Sequence, residues 1–243
     1  MRSNQPCKQH LSHPRAAHAA LFRFCLPRSY PAFVYLTPVK LPAEELAALL
    51  VTTSFAAGLN LYATTATLGL LSRFGVLDLP PTLHLLNTWP VIVVSLALFA
   101  VEFFADKVPA FDLIWNALHT FIRVPIAALL AYRATAQLSP TEQIVAAALG
   151  GVIALAAHGG KTAVRAAITP SPEPLSNIGL SFGEDVVAIG LTWFATRHPY
   201  IAAAIVLWLL IVIVVLVRWI VRSLKALFRA ASTRIANDLR PQS

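Results

Sequence analysis

Charge is scarce in this chain. Only 12% of its 243 residues are Asp, Glu, Lys or Arg, about half the share found in an ordinary soluble domain. Hydrophobic residues make up 57%, and the mean hydropathy is +0.68. That balance excludes a typical water-soluble domain. It also excludes a disordered chain, which needs low hydrophobicity. Cysteine is nearly absent, at two residues, which excludes a disulfide scaffold. Acidic residues are missing altogether from residues 1–40, which hold six Lys/Arg. Residues 218–243 hold six more against the single acid Asp238, and residues 41–217 hold seven against ten acids. The formal net charge of +8 therefore comes wholly from the two ends, around a body of −3. A charge confined to the ends does not form the basic face that a nucleic-acid binder presents.

What the body has is long apolar runs. A bilayer core about 30 Å thick needs roughly 20 apolar residues in a helix. Tyr200 to Val217 is 18 residues without a charge, and Glu45 and Arg73 enclose 27 more uncharged positions. Leu83–Phe104, Leu113–Tyr132, Gln143–Ala157 and Leu175–Ala195 complete a set of six candidate spans. The expected fold is an all-α polytopic membrane bundle. Both halves carry an apolar run, a lysine (Lys107, Lys161), a proline-containing polar stretch and another apolar run, a pattern that suggests a 3+3 repeat of the kind seen in transporters. Basic tails favour the cytoplasm. Six spans with two basic tails place both termini there, in a bacterial inner membrane.

The expected organisation is a basic extension over 1–40, a transmembrane domain over 41–217 and a basic amphipathic segment over 218–243. In the last, Arg218, Arg222, Lys225 and Arg229 share a face opposite Ile220, Leu224 and Leu227, suited to anionic lipid headgroups. The extension is too broken by Arg23, Pro27, Arg28 and Pro31 to be a signal-peptide core. Its Cys7, His10, His13 and His18 do not complete a zinc ligand set. No cofactor, metal or nucleic acid is expected. Lipid and a small ion or solute are the expected partners, and a homo-oligomer is left open.

The functional signal lies in polar residues inside or beside the spans. A charge at a helix centre costs roughly 2.5–3.5 kcal/mol on insertion scales, so these groups must meet one another, water or a ligand. Residues three or four apart share a helix face. Glu102 and Asp106 are so related, as are His119 and Arg123, then His158, Lys161 and Arg165, then Asn177, Ser181, Glu184 and Asp185. Four polar stripes on apolar helices are expected to converge. If they only lock the helices together, Asp106 with Arg123 and Glu184 with Lys161 are natural ion pairs. Lys107, Asp112 and Glu173 cluster at span ends. Pro109 is expected to break a helix and Asp112 to cap the next. Residues 169–177 hold three prolines, after which Ser176 or Asn177 would cap another helix. Ser54 and Gly58 form a small-xxx-small pair suited to close packing. Gly58-Leu59-Asn60 is also a candidate helix interruption.

Several strings together resemble the bacterial membrane family known as domain of unknown function 4126. They are Ala57-Gly58-Leu59-Asn60-Leu61-Tyr62, Val101-Glu102-Phe103-Phe104-Ala105-Asp106-Lys107, His119-Thr120-Phe121-Ile122-Arg123, Ser171-Pro172-Glu173-Pro174 and Gly183-Glu184-Asp185. The resemblance covers roughly residues 48–200 and leaves 1–40 outside. It implies a multi-pass membrane protein and supports the choice of polar positions, but it supplies no chemistry. Three functions remain in view. The leading one is a transporter or channel for a small ion or anionic solute. The others are a membrane scaffold with buried ion pairs, and an intramembrane enzyme acting on a lipid or phosphorylated substrate. No complete phosphatase, protease or transferase signature is present, so the balance leans away from an enzyme.

Overall fold

The computed structural model describes residues 42–106, 109–168 and 174–238. The architecture is all-α. The helices are α1 (Ala43–Leu59), α2 (Leu61–Arg73), α3 (Trp89–Ala105), α4 (Pro109–Ala134), α5 (Pro140–Ile168), α6 (Pro174–Ala195) and α7 (Pro199–Asp238), with a short 3-10 helix, Pro81–Asn87, before α3. Proline punctuates the chain. α4, α5, α6 and α7 each begin at one, where the missing N–H would have had no helical partner and φ is already helical. α5 adds a capping box. The Ser139 N–H and hydroxyl both donate to the Glu142 carboxylate, at 2.9 and 2.8 Å.

These starts correct two expectations. Asp112 is the fourth residue of α4 rather than its cap, because Pro109 opens the helix. Ser176 and Asn177 likewise lie within the first turn of α6, which opens at Pro174. The side chains of Asp112 and Asn177 lie outside the described residues, as do Lys107, Glu173 and the extension with Cys7, His10, His13 and His18.

α1 is the hub. It packs against α4, α5, α6 and α7, and Thr52, Phe55, Ala56 and Ala57 are almost fully buried. Small side chains make this approach possible. A Cβ added at Gly58 would lie 2.4 Å from the Ala154 carbonyl oxygen, and one at Gly150 would lie 3.0 Å from Ser54 Oγ. The Ser54/Gly58 stripe of α1 thus meets a Gly150/Ala154 stripe of α5. Buried hydroxyls close on their own helices, Thr52 to the Ala48 carbonyl and Thr64 to the Asn60 carbonyl, so they leave no unpaired group in an apolar setting.

The segment expected as one span between Glu45 and Arg73 is two helices. At Asn60 the backbone is extended, with φ −145° and ψ 105°. The 17 residues of α1 and the 13 of α2 reach about 25 and 20 Å at 1.5 Å per residue, each short of the ~30 Å core. The chain bends back at this point. Leu46, near the start of α1, and Leu68, late in α2, share one apolar cluster with Leu77, Leu79 and Ala134. In a straight rod those two leucines would stand ~33 Å apart. α2 then returns antiparallel to α3: Tyr62 lies in a cluster with Phe99, Thr65 donates to Ser95 Oγ, and Arg73 lies over the Trp89 ring.

Among the described residues, α5, α6 and α7 are long and apolar enough to cross a membrane. The 3-10 helix and α3, bent by 61°, make a fourth candidate if counted as one. The apolar helices point to a membrane protein, and among the described residues they supply three candidate spans, or four with the bent pair. The element lengths give the 3+3 repeat no support. Because the α1–α2 hairpin starts and ends at one end of the bundle, Pro42 and Asp238 fall at opposite ends of the described helices. α7 is one unbroken helix of 40 residues, so the chain does not change structure at Val217–Arg218.

Two glycines test the packing. Gly58→Ala must push α1 from α5 and is expected to cost ~1–3 kcal/mol. Gly190→Ala, which meets nothing within 4 Å, is expected to be neutral or to stabilise α6 by up to ~1 kcal/mol. Thermal unfolding of the purified protein in detergent reads both. An equal effect at the two positions would refute the close approach.

Candidate functional site

The tip of the α1–α2 hairpin is where the polar stripes meet. Asn60 holds it by both ends of its amide. Its Oδ1 accepts from the Ala63 N–H at 2.9 Å and caps α2, which leaves the Nδ2 group to donate to Asp185 Oδ1 at 2.8 Å. Next to it, the Leu59 carbonyl accepts from two cations, Arg123 Nη1 and Lys161 Nζ, each at 3.3 Å. Helix ends leave such carbonyls without a helical partner.

Around this tip stands a network of buried ion pairs. Arg123, from α4, donates to Glu102 of α3, and both side chains are fully buried. Lys161, from α5, reaches Glu184 Oε2 at 3.1 Å, Asp106 Oδ2 at 3.2 Å and Glu102 Oε1 at 3.7 Å. Arg165, one turn further on, donates to Glu184 Oε2 at 2.6 Å and Asp106 Oδ2 at 2.8 Å. Ser181 of α6 adds a long bond to Asp106, at 3.4 Å. The expected Glu184–Lys161 pair is present. The expected Asp106–Arg123 pair is not: Arg123 goes to Glu102, and Asp106, at the end of α3, faces the two cations of α5.

The two histidines sit at the edge of the network. His158 Nδ1 lies 3.1 Å from Arg123 Nη1. A guanidinium only donates, so Nδ1 must be the acceptor. The ring proton is then on Nε2, which lies 2.7 Å from Thr120 Oγ1. His119 is turned away from the ion pairs. Its Nδ1 lies 2.8 Å from the Trp115 carbonyl and must carry a proton, and Nε2 lies 3.0 Å from the Tyr62 hydroxyl, which donates to it when the ring is neutral. The ring also stacks on Trp115, with centroids 4.1 Å apart. His158 is thus neutral in this arrangement.

Of the expected site residues, Asn60, Glu102, Asp106, Arg123, His158, Lys161, Arg165, Glu184 and Asp185 come together, and His119 borders them through Tyr62. Tyr62, Thr120 and the Leu59 carbonyl belong to the site and were not expected. Tyr62 and Thr120 carried only a weak signal, each lying next to or near a polar stripe residue. A backbone carbonyl carries no sequence signal at all.

Among the described residues the cluster holds four carboxylates, Glu102, Asp106, Glu184 and Asp185, against the three cations Arg123, Lys161 and Arg165, and all are buried. With neutral histidines its formal sum is −1. Three carboxylate oxygens, Glu102 Oε2, Asp106 Oδ1 and Asp185 Oδ2, are buried without a hydrogen-bond partner, against one cationic nitrogen of the cluster, Arg123 Nε. The excess of unmet acceptors suits a proton or small cation better than an anion.

The family model described as domain of unknown function (DUF4126) matches residues 47–219, and the chain belongs to that family. The matched region runs from α1 into α7 and contains every residue of the cluster. No curated protein and no solved structure matches the chain.

Breaking a buried pair from one side leaves the other charge stranded, at ~3–5 kcal/mol. Arg123→Met is therefore expected to destabilise by that amount. Glu102→Met added to it is expected to recover part of the loss, with a coupling of ~0.5–3 kcal/mol. A double-mutant cycle by chemical unfolding in detergent measures it. Strictly additive effects would mean the two side chains do not act as a pair.

Proposed function

We propose that this member of the family is a transporter or channel for a small ion, with the charged cluster at the hairpin tip as the ion's site. The observation that carries the reading is the Leu59 carbonyl. A helix broken inside the bundle turns that carbonyl onto Arg123 and Lys161, and half-helices that turn backbone groups onto a charged site are what transporters use to bind ions within the membrane. Intramembrane charges gathered on one interior point read first as a pathway.

The charge sum favours a cationic species among the small ions and solutes that such a site could take. In this reading the approach is from the end where α1 begins. A cavity of about 410 Å³ there is lined by Leu46, Asp78, His84 and Gln137 among others. It shares Leu46, Leu49, Leu79 and Pro80 with a narrow apolar cavity of about 30 Å³ that runs past Ser54 to Ala57, three residues from Asn60. The basic segment of α7, Arg218 to Arg229, extends beyond the opposite end. In this reading it lies against anionic headgroups on the cytoplasmic side of a bacterial inner membrane, and the cluster sits nearer that side than the cavity does.

One observation favours a second reading, a non-catalytic membrane scaffold. Each of the three cations has a carboxylate partner, and neither cavity is lined by a cluster residue. The enzyme reading gains less, since His119 and His158 each use both ring nitrogens within the protein.

Flux decides between the first two. Protein in liposomes should dissipate an imposed gradient of protons, sodium or potassium, read by a dye trapped inside. Lys161→Met should lower that flux at least tenfold, and Asn60→Ala, which frees the tip without removing a charge, should also lower it. Wild-type flux equal to that of protein-free liposomes for all three ions would leave the scaffold reading.

A further inference from the structure

The four acids of the cluster are not equivalent. Glu102 lies against Arg123 and Lys161, Asp106 against Lys161 and Arg165, and Glu184 against the same two cations. Among the described residues, Asp185 has no cation within ion-pair distance. Its one hydrogen bond is the neutral amide of Asn60, its Oδ2 has no partner, and the residue is 4% exposed. It is also the acid that touches the residue at which the chain turns.

We infer that Asp185 is the proton-binding residue of the site, and that a proton held on its Oδ2 is the ion that brings the cluster from −1 to neutrality. The inference rests on the transport reading for its purpose, but not for its geometry. Oδ1 keeps the Asn60 hydrogen bond in either state, so the proton can come and go while the tip stays attached. Binding forms one O–H bond on Oδ2 and releasing it breaks that bond. No other group need change.

The surroundings on each packed element agree with this assignment. From α3, Glu102 and Asp106 face the site. From α4 come Arg123 and His119, and from α2 comes Tyr62, which is spoken for by His119. From α5 come His158, Lys161 and Arg165. On α6 itself, Glu184 is adjacent. α7 presents Val206, Leu209 and Ile213 to this part of the core, and its first charge is Arg218. The through-space charges on Asp185 are mainly Lys161, Asp106 and Glu184, one cation against two anions. A cation already shared among three other carboxylates is poorly placed to neutralise a fourth.

A metal cation is the competing occupant. Among the described residues no three His, Cys, Asp or Glu side chains gather as metal ligands, because Lys161 and Arg165 stand between the acids.

Infrared difference spectroscopy of the whole protein in detergent at neutral pH tests the assignment without any flux. A protonated carboxylic acid gives a carbonyl stretch that an ionised one lacks. The wild type should show this band. Asp185→Asn should abolish it, Asp185→Glu should shift it, and Glu184→Gln should leave it. The band should withstand sodium chloride added at constant pH. No band in the wild type, a band that survives Asp185→Asn, or a band lost on adding sodium would each overturn the proposal. Should Asp185→Asn not fold, a shifted band in Asp185→Glu supports the assignment and an unshifted one defeats it. Liposome flux separates the two readings. A band without wild-type flux keeps the proton site and discards transport, while flux without the band does the reverse.

Discussion

When the chain turns at Asn60, the Leu59 carbonyl faces the inside of an apolar bundle, and everything polar nearby follows from how that oxygen is satisfied. A buried backbone acceptor costs free energy unless it is paired. Here the partners are Arg123 and Lys161. Cations cannot be buried alone either, so they bring Glu102, Asp106 and Glu184 with them, and Arg165 follows as the counterpart of the last two. One broken helix thus draws charged residues from α3, α4, α5 and α6 to a single point.

Such a point is not an economical way to hold a membrane protein together. Desolvating an ion pair costs several kcal/mol per ion, and well-packed apolar residues of the same volume often do as well or better. Apolar packing is available here, as the Ser54/Gly58 and Gly150/Ala154 stripes show. A hairpin that only filled the bundle could end in an ordinary polar turn at the surface. That it ends among seven charged side chains is the reason to look beyond stability for its role.

The i, i+3 and i, i+4 spacings within Glu102/Asp106, His119/Arg123, His158/Lys161/Arg165 and Ser181/Glu184/Asp185 made the stripes legible, because helix geometry alone decides which residues share a face. The prolines before α4 and α6 were legible as breaks, though Asp112 and Ser176 or Asn177 after them were misread as caps, and the proline starts of α5 and α7 were not singled out. Pairing between stripes was not legible. Whether Arg123 meets Glu102 or Asp106 depends on the tilt and register of α4 against α3, which no local pattern encodes. The interruption at Gly58-Leu59-Asn60 was legible as a candidate, but the reversal of the chain there was not, since twenty-seven uncharged residues fit one long span as well as two short helices. The asymmetry between Asp185 and the other acids was likewise hidden, because it lies in which cations each carboxylate can reach. His119 shows the same limit from the other side: its spacing to Arg123 was right, yet its ring turns to Tyr62 and Trp115.

A cluster with unequal numbers of acids and bases behaves differently from a balanced one. In a balanced set every charge finds a counter-charge, and any rearrangement costs Coulomb energy in both directions. With one carboxylate in excess, adding or removing a single proton changes the sum from neutral to −1 and leaves each existing pair intact. The residue that bears the excess, Asp185, is bonded to Asn60, and Asn60 caps α2. A change of charge there acts directly on the turn between two short helices, neither long enough to be anchored at both membrane surfaces.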